Sequence, residues 1–243
     1  MKILAVETAT SCQSVAVLDG TRVLARSDED AAGAHARWLI PTIDRLLRAC
    51  GLTLSGLEGL AVSIGPGSFT GLRVGLATMM GLRAATGLPL AAVPTLEGMA
   101  WNVPRADRPL CPILKARTGE VYWGLYRWTG AGTLQVLEAE RVGPLEALVQ
   151  SLAGRTLVLG EGWAIHRDEL RRRLGRRASE VREAPEEAMA ASAVSVGLAG
   201  LERLTRGEVA GQGLSPRYVQ RAEAELKAGR NRVAPAHSIE FSN

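Results

Sequence analysis

Strand and helix signals occur in the same order in two parts of this sequence. Apolar runs predict three strands, a helix and a fourth strand between residues 2 and 64. The same order returns between residues 110 and 160, without convincing residue-by-residue identity between the two parts. A duplicated three-stranded meander with helical crossovers predicts two similar mixed sheets with a cleft between them. We therefore expect an α/β fold of two lobes, each a mixed sheet flanked by helices.

The boundary between the lobes is predicted near residue 106. The first lobe spans residues 1–106 and the second spans 107–225, whose end can pack back on the first lobe. Helices are predicted over 34–50, where Pro41 implies a kink or a later start, and over 186–204. Residues 226–243 show no such pattern and are expected to form a flexible tail.

Composition and charge limit the classes of protein that the chain can belong to. It has 29 lysines and arginines against 25 acidic residues, a net charge of +4, which is compatible with an anionic partner. Its three cysteines are widely separated and indicate neither a disulfide framework nor a zinc knuckle. No apolar run is long enough to span a membrane, and the first residues turn polar too early for a signal peptide. We expect a cytoplasmic protein without membrane contact.

The segment GPGSFTGLRVG joins a predicted strand to a predicted helix. Gly65 and Gly67 permit backbone angles that other residues resist, and Ser68 or Thr70 can cap the helix. A helix start attracts anions, so the loop, with Arg73 one turn further on, can form part of an anion or nucleotide pocket. Alternatively it is a tight, capped joint. The lysine of a P-loop is missing and capping accounts for the residues present, so the joint is favoured.

The helix after this loop is apolar on every side, which predicts burial on every side. One row of small residues contains Gly71 and Gly75, and a second contains Ala77, Gly81 and Ala85. One face is expected to lie on the sheet, and the opposite face needs a cover from the first helix or from another protein. We favour a protein–protein interface over ordinary internal packing. The predicted interface residues are Trp38, Leu39, Gly71, Leu72, Gly75 and Met79.

Four motifs resemble, in order and spacing, those of the bacterial TsaB proteins: ILAVETAT, GPGSFTGLRVG, ARTGEVYWGLY and SPRYVQRAEAE. The resemblance covers about residues 1–225. It implies two ribonuclease-H-like lobes of the actin/hexokinase ATPase superfamily. It also implies an inactive paralogue of TsaD, the enzyme that transfers a threonylcarbamoyl group to an adenosine of tRNA. Proteins of this family bind TsaD, and the ATPase TsaE joins the pair.

Two cleft positions depart from the pattern that the resemblance implies. TsaB-type sequences typically carry aspartates where this chain has Glu7 and Lys115. The longer carboxylate of Glu7 would be displaced, and a lysine reverses the charge, so metal-dependent ATP hydrolysis is disfavoured. We expect an ion pair between Glu7 and Lys115 on the cleft floor, beside Arg117.

The sequence offers few other residues for catalysis. TsaD-like enzymes hold a metal through two histidines one helical turn apart, whereas His35, His166 and His237 are not spaced in this way. No metal site is predicted. Ser68 and Thr70 have no base nearby in the sequence, which disfavours a peptidase. The arginine-rich segment 171–177 can contact tRNA phosphates or form a solvated helix face, and the second is favoured.

These observations predict a non-catalytic subunit that is required for threonylcarbamoyladenosine formation on tRNA. It binds TsaD through the first lobe and acts together with TsaE, while its contact with tRNA is indirect. In isolation the chain is expected to form a homodimer. No cofactor is assigned, although ATP or ADP at an interface shared with TsaD is considered. The alternatives are a small ATPase or sugar-kinase-like enzyme of the same fold, or a peptidase-like protein.

Overall fold

A computed structural model describes residues 1–31, 33–152 and 154–219 of the chain, so the predicted tail 226–243 lies outside the described residues. The strands are β1 (Lys2–Glu7), β2 (Cys12–Asp19), β3 (Arg22–Asp30), β4 (Gly59–Ser63), β5 (Leu90–Val93), β6 (Leu110–Lys115), β7 (Glu120–Trp128), β8 (Leu134–Pro144), β9 (Thr156–Leu159) and β10 (Val181–Glu183). The helices are α1 (His35–Ala49), α2 (Phe69–Thr86), α3 (Thr95–Ala100), α4 (Leu145–Ser151), α5 (Glu161–Leu174) and α6 (Ala193–Thr205).

The strands form two five-stranded sheets with the same internal order. The first sheet runs β3-β2-β1-β4-β5, and the second runs β8-β7-β6-β9-β10. In each sheet the first three strands pair antiparallel. The fourth strand pairs parallel with the first, and the fifth pairs parallel with the fourth. This repeated order confirms the predicted α/β fold of two similar lobes, each a mixed sheet flanked by helices.

The first sheet is covered by helices on both faces because its strands alternate two sets of apolar residues. Leu4 and Val6 of β1 lie in the core beneath α1 and α2, whereas Ile3 and Ala5 lie in the core beneath α6. Helix α6 comes from the end of the described chain but packs on β1, β2, β4 and β5. The first lobe is therefore completed by a distant segment.

The second sheet packs against α4 and α5 on one face and α3 on the other. Trp123 and Trp163 are fully buried in the core that contains α4 and α5. Helix α3 precedes the predicted boundary at residue 106, yet it packs on β6 and β7 and contacts α6. The two lobes thus meet through α3 and α6 as well as through the chain connection.

Three elements differ from the sequence-based expectation. Helix α1 begins at His35 and continues through Pro41. Helix α6 begins only at Ala193, because Ser192 caps it by accepting a hydrogen bond from the Val194 amide, and a short 3₁₀ turn precedes it. The three-residue strand β10 is too short for a clear apolar pattern and was not predicted. No helix within residues 1–31, 33–152 and 154–219 is both long and apolar enough to cross a membrane.

Candidate functional site

The glycine-rich loop between β4 and α2 is packed tightly against the end of β1. Gly65 and Gly67 have φ angles of 108° and 156°, in the region that favours glycine. A Cβ atom on Gly67 would lie 2.3 Å from the carbonyl oxygen of Ala9. The Ser68 amide donates a hydrogen bond to that same oxygen at 2.6 Å, and Ser68 Oγ accepts one from the Gly71 amide at 3.2 Å. Ser68 is therefore the N-cap of α2.

Two other segments hold the loop from outside. The Gly65 amide donates to Thr95 Oγ1 at 3.1 Å, and the Thr95 amide donates to the Gly65 carbonyl at 2.9 Å. The Arg217 amide donates to the Ile64 carbonyl at 2.6 Å, which places the end of the described chain across the loop. These contacts are those of a capped joint. A nucleotide or anion role for the loop stays a prediction.

The first turn of α2 is exposed but is engaged by the end of the described chain. Arg73 Nε donates to the Tyr218 hydroxyl at 3.2 Å, and its guanidinium carbon lies 3.6 Å from the Phe69 ring centroid. The rings of Phe69 and Tyr218 are 5.2 Å apart. Thr70 is exposed beside them. The hydrogen bond from Arg73 and the ring contact of Phe69 thus join α2 to Tyr218 near the end of the described residues, while the cation–π contact between Arg73 and Phe69 lies within the helix.

The first glycine row of α2 faces the chain itself. A Cβ on Gly71 would lie 2.0 Å from the Thr8 carbonyl oxygen, and one on Gly75 would lie 2.2 Å from Thr8 Oγ1. Thr8 Oγ1 also donates a hydrogen bond to the Gly71 carbonyl at 2.9 Å. The close approach of α2 to the end of β1 therefore requires these two glycines. The expectation that they face a partner is corrected, because Thr8 already covers them.

The large residues of the predicted interface divide in the same way. Leu39, Leu72 and Met79 are buried in the core of the first lobe, so the chain's own residues cover them as well. Trp38 is 45% exposed and remains open to contact. Of the six predicted interface residues, Trp38 is thus the one that a partner can reach in this structure.

A different set of residues on α1 and α2 stays exposed, and we call it the open helix face. Trp38 is accompanied on α1 by Ile40, which is 61% exposed. The second small-residue row of α2 is open, since a Cβ on Gly81 would meet nothing within 4 Å. The open helix face comprises Arg37, Trp38, Ile40, Pro41, Ala77, Gly81, Ala84 and Ala85. Both helices pack on one core, so their exposed sides point away from the same sheet face.

The cleft residues do not form the predicted ion pair. Glu7 is 1% exposed, and burial raises the pKa of its carboxyl to about 7, although the hydrogen bond that the Ala9 amide donates to Oε1 opposes the shift. No contact within hydrogen-bond distance is recorded for Glu7 Oε2 in the described part of the chain. Lys115 is exposed at the end of β6, on the second sheet, and its charge acts on Glu161 at the start of α5. The expected Glu7–Lys115 pair was wrong, because Glu7 is buried inside the first lobe whereas Lys115 is exposed on the second.

The charged residues of the second lobe interact with one another. Burial raises the pKa of Glu161, while the backbone and charge of Lys115 lower it. Arg117, in the turn after β6, makes a two-pronged contact with Glu120 at 2.6 and 2.9 Å. Arg117 therefore has an acidic partner within the second lobe.

A buried acid that the sequence did not reveal lies where the lobes meet. The side chain of Glu140, on β8, is 3% exposed, and the Tyr126 hydroxyl donates to its Oε1 at 3.4 Å. Burial raises the pKa of Glu140 to about 7, and Arg217, whose Nε lies 3.4 Å from Oε2, opposes the shift. Because the Arg217 amide bonds Ile64 of the first lobe, this residue connects both lobes. The alternating pattern of β8 does not distinguish Glu140 from other strand residues. The only sequence signal for this contact was the late motif that contains Arg217.

The described residues assemble no obvious catalytic machinery. No group of three or more histidine, cysteine or acidic side chains in residues 1–31, 33–152 and 154–219 is placed to hold a metal ion. Ser68 Oγ is used as a helix cap. Among the acidic side chains, burial raises the pKa of two carboxyls, Glu7 and Glu140, to about 7.

Comparison with known proteins gives a consistent result. The family model of TsaD, a tRNA N6-adenosine threonylcarbamoyltransferase, matches residues 27–228. The chain is 37% identical to the tRNA threonylcarbamoyladenosine biosynthesis protein TsaB of Escherichia coli K12 over 172 residues, 67% of this chain and 72% of that protein. It is 29% identical to the Bacillus subtilis TsaB protein over 234 residues, 93% and 97% of the two chains.

A solved structure agrees with these sequence matches. YeaZ from Pseudomonas aeruginosa superposes with a TM-score of 0.73 and 28% identity, covering 89% of this chain and 99% of that chain. The resemblance carried by the four motifs is therefore confirmed over most of the chain. The chain belongs to the TsaB family, within the wider group of proteins that the TsaD family model describes.

Proposed function

We propose that this chain is a non-catalytic subunit for threonylcarbamoyladenosine formation on tRNA, and that it binds TsaD, with TsaE joining the pair. The relatives from Escherichia coli and Bacillus subtilis are named for this biosynthesis, which supports the pathway. The chain works in the cytoplasm, and an indirect contact with tRNA, through its partners, stays a prediction. ATP or ADP at an interface shared with TsaD stays a prediction.

The open helix face is the observation that carries the proposed partner contact. Trp38 and Ile40, two residues apart on α1, each expose a large apolar side chain at an edge of the exposed side of the helix, and Trp is enriched among residues that dominate binding energy. The row through Gly81 on α2 presents almost no side chain, so a partner helix can approach its backbone closely. TsaD packs its own helices against this face and forms a helical bundle with α1 and α2.

The cleft supports a non-catalytic role. A carboxyl with a pKa of about 7 is protonated in a large fraction of molecules at neutral pH, and a neutral acid is a poor magnesium ligand. Across the cleft the chain has Lys115 in place of an acid. The chain therefore supports the turnover of TsaD and has no ATPase cycle of its own.

Reconstitution of the modification reaction tests this function. TsaD, TsaE, ATP, the threonylcarbamoyl donor system and unmodified tRNA are combined with and without this chain. We expect modified adenosine only when the chain is present, and Glu7→Gln should support the same yield as the unaltered chain. Equal yields without the chain would contradict the proposal, and so would saturable ATP turnover by the chain alone.

The same face is the one through which we expect the isolated chain to form a homodimer. Without TsaD, a second copy covers the open helix face, because an exposed apolar patch favours association. Titration of TsaD into the homodimer should replace it by the mixed complex, which sedimentation velocity can follow. A homodimer that persists at excess TsaD, with no mixed species, would contradict the shared use of this face.

A further inference from the structure

Part of the arginine-rich stretch that stands out in the sequence is paired with acids in the fold. Arg167 and Arg171 contact the two carboxylate oxygens of Glu183 at 2.7 and 2.8 Å. Arg173 contacts Glu169 and Glu146. These three arginines of α5 are thus paired with acids from α4, α5 and β10.

Arginines that are distant in the sequence converge at one end of the second sheet. Strands β6 and β9 begin there and β7 ends there, which brings Arg108, Arg127 and Arg155 together. With Asp107 and Pro109 they line a pocket of about 390 Å³. No local charge run announces this cluster, because each arginine comes from a different strand end.

The charges of this pocket are not balanced. Arg108 donates from Nε and Nη2 to the two carboxylate oxygens of Asp107, at 3.0 and 3.2 Å, and its side chain is only 13% exposed. These two hydrogen bonds hold Arg108 in place and engage Asp107, the one acidic residue among those that line the pocket. For Arg127 and Arg155, no ion pair is recorded with any described residue, and both are exposed. Three arginines against one aspartate leave an excess of two positive charges.

A second concave surface adjoins the pocket along both chain segments. It has a volume of about 480 Å³ and is lined by Arg105, Trp128 and the turn 129–132 between β7 and β8. Arg105 has a φ angle of 59°, the one positive value among the non-glycine residues that the structure describes. Such a conformation is uncommon outside glycine and is found often at binding sites. It adds a fourth arginine to this end of the lobe.

We propose that the pocket of Arg108, Arg127 and Arg155, extended by Arg105, binds phosphate groups, on an RNA backbone or on a free phosphate compound. The planar guanidinium group matches phosphate oxygens with two parallel hydrogen bonds, and arginine stays charged at all relevant pH values. Arg127 and Arg155, which form no ion pair with the residues that the structure describes, can give both bonds to the ligand, while Arg108 is already oriented by Asp107. The site lies on the second sheet and is separate from the open helix face on the first.

Binding of a labelled RNA hairpin and of inorganic pyrophosphate to the full chain tests the site. The double variant Arg127→Gln/Arg155→Gln removes the two unpaired charges. The matched control, Arg176→Gln/Arg177→Gln, removes the same charge from an exposed turn outside the pocket. We expect the pocket variant to bind the hairpin about tenfold more weakly at low salt, with a salt slope smaller by roughly 1.5, since each phosphate contact contributes about 0.7 to 0.9. The control should change affinity less than twofold, and both variants should unfold at the same temperature as the unaltered chain.

The two probes distinguish the sources of phosphate. If the pocket variant loses hairpin binding and millimolar pyrophosphate does not displace the hairpin from the unaltered chain, the ligand is an RNA backbone. If pyrophosphate displaces the hairpin from the unaltered chain but not from the pocket variant, the ligand is a free phosphate compound. Both results support the site. Equal effects of the two double variants on every probe, or no effect of the pocket variant, would overturn it, whether or not the chain supports TsaD.

Discussion

At the scale of single residues, Glu7 shows how burial decides what an acid can do. It follows an apolar strand, and the sequence identified it as a departure from the family pattern. The prediction that Lys115 is its partner was wrong, because no local pattern in the sequence reveals which side chains a distant strand end will contact. The acid is instead buried at the end of β1, beside Ser63 of β4. Its proton is thereby held more tightly in the folded than in the unfolded chain.

The raised pKa of Glu7 predicts a pH dependence of stability. The folded chain binds a proton at Glu7 between pH 4.5 and 7, where the unfolded chain has lost it, so stability falls as pH rises through this window. Glu7→Gln is neutral at every pH. We expect it to raise the free energy of unfolding by about 2 to 3 kcal/mol at pH 8 relative to the unaltered chain, and by close to nothing at pH 4.5.

Urea unfolding of both proteins at the two pH values measures this difference, and it cancels the contribution of Glu140, which is common to both. A destabilised Glu7→Gln variant at pH 8 would show that the charged carboxylate is needed by the fold.

At the scale of elements, α2 carries two rows of small residues that the sequence cannot tell apart. Both have the spacing of one helical turn, and both were compatible with a partner or with internal packing. The difference arises from Thr8, which reaches Gly71 and Gly75 but not Gly81. The end of the sheet on which α2 packs decides which row is buried. The sequence periodicity shows only that the helix has two narrow faces of small residues.

Leucine substitutions on the two rows should therefore have opposite effects. Gly75→Leu places a side chain on Thr8 Oγ1 and should destabilise the chain by about 3 kcal/mol or more, because the site has no room. Gly81→Leu meets open space and removes a helix-weakening glycine, so the unfolding temperature should be unchanged or slightly higher. Thermal unfolding followed by circular dichroism compares them. Equal stability of the two variants would contradict the assignment of the rows.

Helix α6 offers a second test at this scale. Its apolar pattern extends back to residue 186, yet the helix begins at Ala193, where Ser192 Oγ accepts from the Val194 amide at 3.2 Å. Loss of this cap in Ser192→Ala should lower the free energy of unfolding by about 1 kcal/mol. Ser192→Asp, which keeps the acceptor, should restore most of it. A fully stable alanine variant would show that packing on the first sheet alone fixes the helix start.

At the scale of the whole molecule, the repeated order of strands allowed both sheets to be predicted from the sequence. The predicted lobe boundary at residue 106 describes the packing less well. Helix α3 lies before it but packs on the second sheet, and α6 lies after it but packs on the first. Such exchanged packing depends on contacts between residues far apart in the chain, which local patterns do not record. For the same reason the sequence missed Glu140 and the arginine pocket, whose members come from separate strands. The chain end, through Arg217, connects the two lobes beside the glycine joint.

The central claim is that TsaD binds the open helix face, and its affinity for matched variants tests this most directly. Calorimetric titration compares the unaltered chain, Gly81→Leu on that face, and Ala139→Leu, which adds a leucine to an exposed position of β8 on the second sheet. We expect Gly81→Leu to weaken TsaD binding at least about tenfold, roughly 1.4 kcal/mol, and Ala139→Leu to leave it unchanged. A folded Gly81→Leu chain that binds TsaD as tightly as the unaltered protein would contradict the claim.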